Sequence, residues 1–390
     1  MNMLNLLKAS LWGNDVTTVT REDFEEMKSQ AVVSLPATVL SKIELDKELR
    51  RDWQKIILQQ VGYNTNYIFQ QENLPISVPY VILKGSAAAK YYPYPEFRTM
   101  GDIDIITRRE DYETACREFL DSGCPELTET HQKEFGRHRS FLKNGVVIEV
   151  HLFFSLLNDP EKANYLDDLI INNINPSHFL PDPVNGLVLL EHISQHLEEG
   201  LGLRQIIDWM MFVDKYLKDN KWNKFREMAQ KTGLETLAIV TTRMCEMYLG
   251  LPEHQWCKAV DETLCHKLMD YVLDSGNFGI KRNDESSVSI NLLTYVRTPA
   301  AFFRLLQERG LVNWKATRKY GILKPFAWIY QLFRYQILSV KRKDVSEKMK
   351  KEYTISRERI ALFDALGTKQ VSKGLAVYEN GEYTKTYKRP

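Results

Sequence analysis

The sequence VILKGSAAAKYYPYPEFRTMGDIDIIT, residues 81–107, places a Lys-Gly-Ser turn after an apolar run and then two aspartates one residue apart. The short apolar runs before the turn and around the aspartates predict two strands. Side chains alternate along a strand, so Asp102 and Asp104 share one face while the neighbouring isoleucines occupy the other. Two carboxylates on one face repel each other unless a cation lies between them. This stretch therefore predicts a cation-binding site beside a buried sheet.

The turn itself has the composition of a phosphate-binding turn. Gly85 lets the backbone approach a ligand closely, Ser86 offers a hydroxyl, and the first N–H groups of the following helix point toward an anion. Lys84 adds a positive charge beside them. The same Gly-Ser pattern also begins many helices as a plain cap. The turn is therefore predicted to bind phosphates, with a helix cap as the alternative.

A third carboxylate is predicted on a later strand. The segment RHRSFLKNGVVIEVHLFF, residues 137–154, has the pattern of a β-hairpin with a type I′ Asn-Gly turn. In its second strand Glu149 and His151 share one face. If this strand pairs beside the aspartate strand, Glu149 completes a cluster of three carboxylates. Such a cluster holds two Mg²⁺ (or Mn²⁺) ions about 3.5 to 4 Å apart, the arrangement used for in-line phosphoryl transfer.

These motifs together resemble the nucleotidyltransferase superfamily of the DNA polymerase β type. The stretch LKGSAAAKYYPYPEFRTMGDIDIIT is similar in particular to a poorly characterised bacterial nucleotidyltransferase family (NTP-transferase-5-like). EHISQH and GLRQIIDW, within residues 191–209, resemble that family's downstream helical segment, so the likeness covers about residues 75–220. The resemblance implies nucleotide-phosphate contacts at the turn and metal contacts at the acidic residues: Gly85 and Ser86 for the phosphates, Asp102 and Asp104 for the metal, and Glu149 as the third carboxylate.

Two more residues are predicted to contact the nucleotide, together with Lys84. Arg98 would neutralise charge on the transferred phosphoryl group, or alternatively form a surface ion pair with Glu96. His151 would contact the nucleotide or orient Glu149; the alternative is an ordinary half-buried strand histidine.

The downstream helical segment carries two polar pairs at four-residue spacing. His192 and His196 have the spacing of a two-histidine metal site, but the H-E-x-x-H pattern is absent, and polar residues lining a cleft are the favoured interpretation. Arg204 and Asp208 are expected to form an intrahelical ion pair.

The predicted fold class is α+β, with a small mixed-sheet nucleotidyltransferase core flanked by helices. Residues 1–75 carry amphipathic helical patterns, and residues 76–155 alternate short strands with helices. Residues 156–365 predict a larger helical C-terminal domain. Residues 366–390 form a tail in which a second Asn-Gly favours a hairpin.

Composition gives weaker information. The net charge is +1, which provides no global sign of nucleic-acid binding, although residues 281–350 hold fifteen Lys/Arg against five Asp/Glu. The basic segment 313–343 interleaves cations with aromatic residues, compatible with contact to RNA or an anionic membrane surface, or with an ordinary helical core. Five cysteines without a CxxC pair, the lack of a signal-peptide pattern and the lack of a membrane span predict a cytoplasmic protein.

The predicted reaction is Mg²⁺-dependent transfer of a nucleoside monophosphate from an NTP, such as ATP, to an acceptor hydroxyl or phosphate. The acceptor is a small molecule, a sugar, a protein side chain or an RNA end, and the sequence does not choose among them. Two other classes stay open. One is a non-catalytic nucleotide-binding or interaction module on the same fold. The other is a metal-dependent hydrolase that uses His192 and His196.

Overall fold

The structure is a computed structural model of the 390-residue chain. It describes residues 2–15, 18–128, 137–157, 159–197, 200–282, 303, 306–307, 310–311, 313–340, 345–368, 375–379 and 382–386. The chain divides into two compact units. Unit 1 contains residues 1–281 and 366–387, and unit 2 contains residues 282–365 and 388–390.

Unit 1 begins with helices. Thr20 caps the second of them through a capping box with Asp23, as its sequence predicts. Asp46 caps the third, because its side chain accepts hydrogen bonds from the backbone N–H groups of Glu48 and Leu49 in the first turn. The helices are α1 (Asn2–Trp12), α2 (Arg21–Ser29) and α3 (Lys47–Glu72), with 3₁₀ turns at Leu35–Thr38 and Leu40–Lys42.

A four-stranded mixed sheet follows, with two short helices between its first three strands. Its strand order is β1-β2-β4-β3, with β2 and β4 parallel and the two outer pairs antiparallel. The elements are β1 (Tyr80–Leu83), α4 (Gly85–Ala89), β2 (Ile103–Thr107), α5 (Tyr112–Asp121), β3 (His138–Lys143) and β4 (Val146–His151), with 3₁₀ turns at Pro95–Phe97 and Arg109–Asp111.

The central strands are buried because one face of the sheet packs on α5. Ile103 and Ile105 of β2 belong to a core cluster with Phe119 of α5 and Phe141 of β3, whose rings stack with centroids 5.0 Å apart. The opposite face of β2 carries Asp104. The alternation expected from the sequence is therefore present, with an apolar core face and an acidic second face.

The rest of unit 1 is mostly helical. The downstream helical segment with His192, His196, Arg204 and Asp208 forms two helices that are mostly buried and are separated by a short glycine-containing connection. A Cβ at Gly200 would lie 2.1 Å from the backbone nitrogen of Gly279, so only glycine fits there. The helices are α6 (Pro160–Asn172), α7 (Asp182–His196), α8 (Leu203–Lys215), α9 (Asp219–Thr232), α10 (Glu235–Leu249) and α11 (Glu262–Ser275), with 3₁₀ segments at Gln255–Cys257 and Asn277–Arg282.

Unit 2 is helical over its described residues. Within its basic aromatic segment Trp314 stacks on Tyr330 with centroids 5.1 Å apart, while Phe326 and Phe333 are exposed. Its elements are α12 (Ala316–Lys319), a 3₁₀ segment (Gly321–Phe326), α13 (Ala327–Val340) and α14 (Val345–Ala365).

Near the C-terminus β5 (Leu375–Glu379) and β6 (Glu382–Thr386) pair antiparallel, where the sequence predicts a hairpin; its Asn-Gly lies outside the described residues. No helix in the described part of the chain has the length and apolar character needed to cross a bilayer. A small mixed sheet, N-terminal helices and a larger set of C-terminal helices confirm the α+β fold class.

Candidate active site

The turn between β1 and α4 has an unusual backbone conformation. Lys84 has φ 55° and ψ −134°, and Gly85 follows with φ +31°. A Cβ at Gly85 would lie 2.2 Å from the Tyr67 hydroxyl of α3, so a side chain does not fit. The Ser86 hydroxyl donates a 2.5 Å hydrogen bond to Gln71 Oε1, also on α3. The turn is therefore held against α3, and the Ser86 side chain is engaged within the protein.

Three carboxylates converge beside this turn. Asp102 lies immediately before β2, Asp104 lies in β2, and the parallel register places Glu149 of β4 opposite Asp104. One carboxylate oxygen from each of the three lies within 4.8 Å of the others. Carboxylate oxygens are the ligands that hard divalent cations such as Mg²⁺ prefer. The donor set therefore fits a divalent metal.

The carboxylates differ in their electrostatic surroundings. Lys84 Nζ lies 2.7 Å from Asp104 Oδ1. Burial alone would raise the pKa of Asp104, but Lys84 and the hydrogen bond from His151 hold it below its ordinary value. The charge of Asp104, and then burial, raises the pKa of Asp102 to about 6. Asp102 is thus the carboxylate whose charge is least compensated, and a bound cation would relieve its repulsion from Asp104.

Two histidines lie behind the carboxylates. His151 is fully buried, with Nε2 2.8 Å from Asp104 Oδ1 and 3.4 Å from Glu149 Oε2. This position fits the orienting role proposed for it from the sequence, and it is not among the residues that line the cavity described below. His138 of β3 lies 3.3 Å from Glu149 Oε1, and burial lowers its pKa to about 4. His138 is not among the residues predicted from the sequence, although the hairpin register places it opposite His151.

Arg98 forms a buried ion pair with an aspartate of the same chain. Its Nε and Nη2 donate to the two carboxylate oxygens of Asp208 at 2.7 and 2.6 Å, and Tyr92 donates to the same carboxylate at 2.7 Å. Arg98 is 3% exposed and Asp208 is 1% exposed. The ion pair is therefore with Asp208 of α8, and not with Glu96. The intrahelical pair expected between Arg204 and Asp208 is not formed in the described residues, because Asp208 points to Arg98.

A cavity of about 170 Å³ lies between the sheet and the helices α7 and α8. On the sheet side it is lined by the carboxylates and the Lys84 turn. On the helical side its lining includes His192 and His196, whose Nε2 atoms are 2.8 Å apart. The complete lining is Lys84, Gly85, Arg98, Gly101, Asp102, Asp104, Arg137, His138, Glu149, His192, Gln195, His196, Arg204 and Phe278.

The two helical histidines have the environment of neutral cavity-lining groups. Burial, and then the neighbouring His196, keeps the pKa of His192 well below its ordinary value. Burial, and then Lys84, lowers the pKa of His196 to about 3. Among the described residues, the groups of three or more ligands close enough to hold a metal do not include this pair. The described residues therefore provide no third ligand for the metal site that the hydrolase alternative needs at His192 and His196.

The long helix α3 anchors the segment that carries Asp102. Asn64 donates to the carbonyl oxygens of Glu96 and Arg98 at 2.8 and 2.7 Å, and its own Oδ1 accepts from Met100 N at 3.3 Å. Tyr63 donates to the carbonyl oxygen of Gly101 at 2.6 Å. From the sequence, α3 belongs to a region for which only amphipathic helices are predicted. In the structure its polar side chains also position the residues that precede the metal-ligand pair.

Residues 26–250 match the model of a family described as uncharacterised nucleotidyltransferase. The match covers more than half of the 390 residues, and it confirms the resemblance inferred from residues 75–220. No curated protein and no solved structure matches the chain.

Proposed function

We propose, on the premise that the chain belongs to this family of uncharacterised nucleotidyltransferases, that it transfers a nucleoside monophosphate from an NTP to a hydroxyl or phosphate of an acceptor with the aid of divalent metal. The observation that carries the proposal is the convergence of Asp102, Asp104 and Glu149 beside the Lys-Gly-Ser turn. Family membership supports nucleotidyl transfer in general. The metal requirement and the reacting groups are inferred from the site.

Asp102, Asp104 and Glu149 would hold Mg²⁺ or Mn²⁺. Bound there, two such ions would neutralise phosphate charge and lower the pKa of the acceptor hydroxyl. Asp104 is kept ionised by Lys84 and His151, so it is ready to bind a cation at neutral pH. His151 is a positioning residue, because its Nε2 lies between Asp104 and Glu149 and fixes both carboxylates.

Glu149 is the better placed of two candidate bases for the acceptor proton. Asp104 already contacts both Lys84 and His151 and is 1% exposed. The Glu149 side chain lines the cavity and is 18% exposed. General bases contribute about 10²- to 10⁴-fold when they are placed within hydrogen-bond reach of the proton.

The Gly-Ser turn would contact the nucleotide through Gly85 and Lys84, which line the cavity. The Ser86 hydroxyl is bonded to Gln71, so Ser86 would act through its backbone and by fixing the turn. Arg98 is bonded to Asp208 through both oxygens, so we assign it a structural role in place of the phosphate contact expected from the sequence.

The test is incubation of the full-length protein with α-labelled NTPs, Mg²⁺ and cell extract, followed by a search for label on any acceptor. Transfer should fall by two orders of magnitude or more in Asp104→Asn and Glu149→Gln, because each removes a metal ligand. Asp168→Asn, an exposed aspartate of α6, is the matched control and should transfer normally. Label transfer that survives in Asp104→Asn would refute the mechanism. NTP binding by the wild type without any transfer would favour a non-catalytic module.

A further inference from the structure

Arg204 of α8 is a buried cation without a carboxylate partner among the described residues. It is 9% exposed, and its Nε has no hydrogen-bond partner. Its guanidinium carbon lies 5.3 Å from the centroid of the Phe278 ring. The nearby Asp208 is bonded to Arg98. A buried, unpaired guanidinium is costly, so its presence calls for an anion that arrives from outside the chain.

The position of Arg204 places that anion in the cavity of the carboxylates. Its Nη1 would lie 3.7 Å from a Cβ at Gly101, the residue before Asp102. Arg137 lines the same cavity and donates through Nη1 to the carbonyl of Phe154 and, at 3.3 Å, to Gln195 Oε1. No carboxylate partner of Arg137 is found in the part of the chain that the structure describes. Neither guanidinium group therefore forms an ion pair with a carboxylate of the described residues, although both line the cavity of the acidic cluster.

The charges of the cavity separate into a matched set and an unmatched set. Lys84 is matched by Asp104, and Arg98 by Asp208. The carboxylates of Asp102 and Glu149 are assigned to metal binding. The guanidinium groups of Arg204 and Arg137 then remain as the cations of the cavity without a bonded carboxylate. After burial and Lys84, these two arginines also contribute to the lowered pKa of His196, which lines the same cavity.

We propose that Arg204, assisted by Arg137, forms the subsite for the two terminal phosphates of the NTP and holds the pyrophosphate that leaves. A guanidinium presents a planar fork of donors that fits phosphate oxygens in pairs. This assignment rests on the proposed function and names the residues that receive the leaving group.

The role of Arg204 follows from the charge movement of the reaction. An acceptor oxygen forms a bond to the α-phosphorus while its proton passes to Glu149. The bond between the α-phosphorus and the bridging oxygen breaks, and its electron pair remains on the pyrophosphate. Negative charge therefore accumulates on the leaving group during transfer, and Arg204 stabilises it where it develops.

Calorimetric titration of inorganic pyrophosphate into the full-length protein, in EDTA at low salt, tests the subsite without metal. Arg204→Gln should weaken pyrophosphate binding roughly tenfold to a hundredfold, the range for charge-assisted hydrogen bonds. The pyrophosphate affinity of Arg204→Lys should lie between those of the wild type and Arg204→Gln, because lysine keeps the positive charge and lacks the planar fork of donors. Arg226→Gln, an arginine of α9 whose side chain is 51% exposed, is the matched control and should bind like the wild type.

Two further measurements keep the outcomes distinct. Arg204→Gln should unfold at a temperature no lower than the wild type, because it removes an unpaired buried charge. A lower unfolding temperature with unchanged pyrophosphate affinity would make Arg204 a structural residue and overturn the assignment. A nucleoside monophosphate should lose little affinity in the variant; an equal loss for monophosphate and pyrophosphate would show that the subsite does not select the terminal phosphates.

The proposed function and this subsite can fail separately. Asp104→Asn should abolish label transfer, because it removes a proposed metal ligand. The variant should still bind pyrophosphate in EDTA, because the contact between Arg204 and pyrophosphate does not need a metal. A wild type that transfers no label, with pyrophosphate binding that depends on Arg204, would refute the function and keep the subsite. Label transfer by the wild type, with pyrophosphate binding unchanged in Arg204→Gln, would refute the subsite and keep the function.

Discussion

Replacing one partner of the Arg98–Asp208 ion pair should destabilise unit 1 strongly. Both residues are almost completely buried, and two hydrogen bonds of 2.7 and 2.6 Å join the guanidinium to the carboxylate. Asp208→Asn leaves a full positive charge in the interior, facing a neutral amide. Removal of one partner of such a pair costs about 3 to 5 kcal/mol. At 1.4 kcal/mol per tenfold change, the unfolding equilibrium should shift by about two to three and a half powers of ten.

The assay is urea-induced unfolding followed by tryptophan fluorescence, which includes the fully buried Trp209 next to Asp208. Arg98→Met and Asp208→Leu should each lower the free energy of unfolding, and the double variant should recover most of the loss because both charges are then absent. Arg98→Met with wild-type stability and weakened NTP binding would refute this reasoning, because Arg98 would then be a phosphate ligand.

Three more predictions concern the turn, the anchoring helix and the buried histidines. Gly85→Ala should destabilise the protein, since its Cβ would lie 2.2 Å from the Tyr67 hydroxyl. Adding Tyr67→Phe should recover most of this steric loss in thermal unfolding, while the cost of the positive φ, about 1 kcal/mol, and a 3.2 Å contact with the ring carbon Cζ remain. Asn64→Ala should cost about 1 to 3 kcal/mol in urea unfolding and weaken Mg²⁺ binding in calorimetry, because buried backbone groups lose their partner. His192 has a lowered pKa in the folded state, so the unfolded chain binds its proton first as the pH falls. Stability should therefore fall below pH about 6.5, by up to about 1.4 kcal/mol per pH unit for this group, and His192→Gln should flatten the urea midpoints measured between pH 7.5 and 5. A pH profile unchanged by the substitution would contradict the assignment.

The local parts of the site follow from the sequence because they depend on short-range rules. Alternation along a strand places Ile103 and Ile105 in the core and Asp104 on the opposite face. The Asn-Gly turn at residues 144–145 has positive φ at both positions, 48° and 83°, as a type I′ turn requires. The pairing of β4 beside β2, on which the position of Glu149 depends, also agrees with the sequence-based expectation.

The partners of the arginines do not follow from the sequence, because they are set by tertiary contacts. Four-residue spacing on α8 favours a pair between Arg204 and Asp208, whereas the fold brings Arg98 from 110 residues away to the same carboxylate. This exchange leaves Arg204 unpaired and turns Arg98 into a structural residue. The position of His138 differs in this respect, because the predicted hairpin register alone places it opposite His151 and therefore close to Glu149.

The contacts made by α3 have a consequence for genetics. Tyr63, Asn64 and Gln71 fix the backbone before Asp102 and the hydroxyl of Ser86, yet they precede those residues in the chain and are absent from the cavity lining. A saturation screen that scores activity in cells would therefore find inactivating alleles within this helix. From their positions in the sequence alone, such alleles would be interpreted as folding defects. The structure indicates that they disturb the geometry of the acidic cluster.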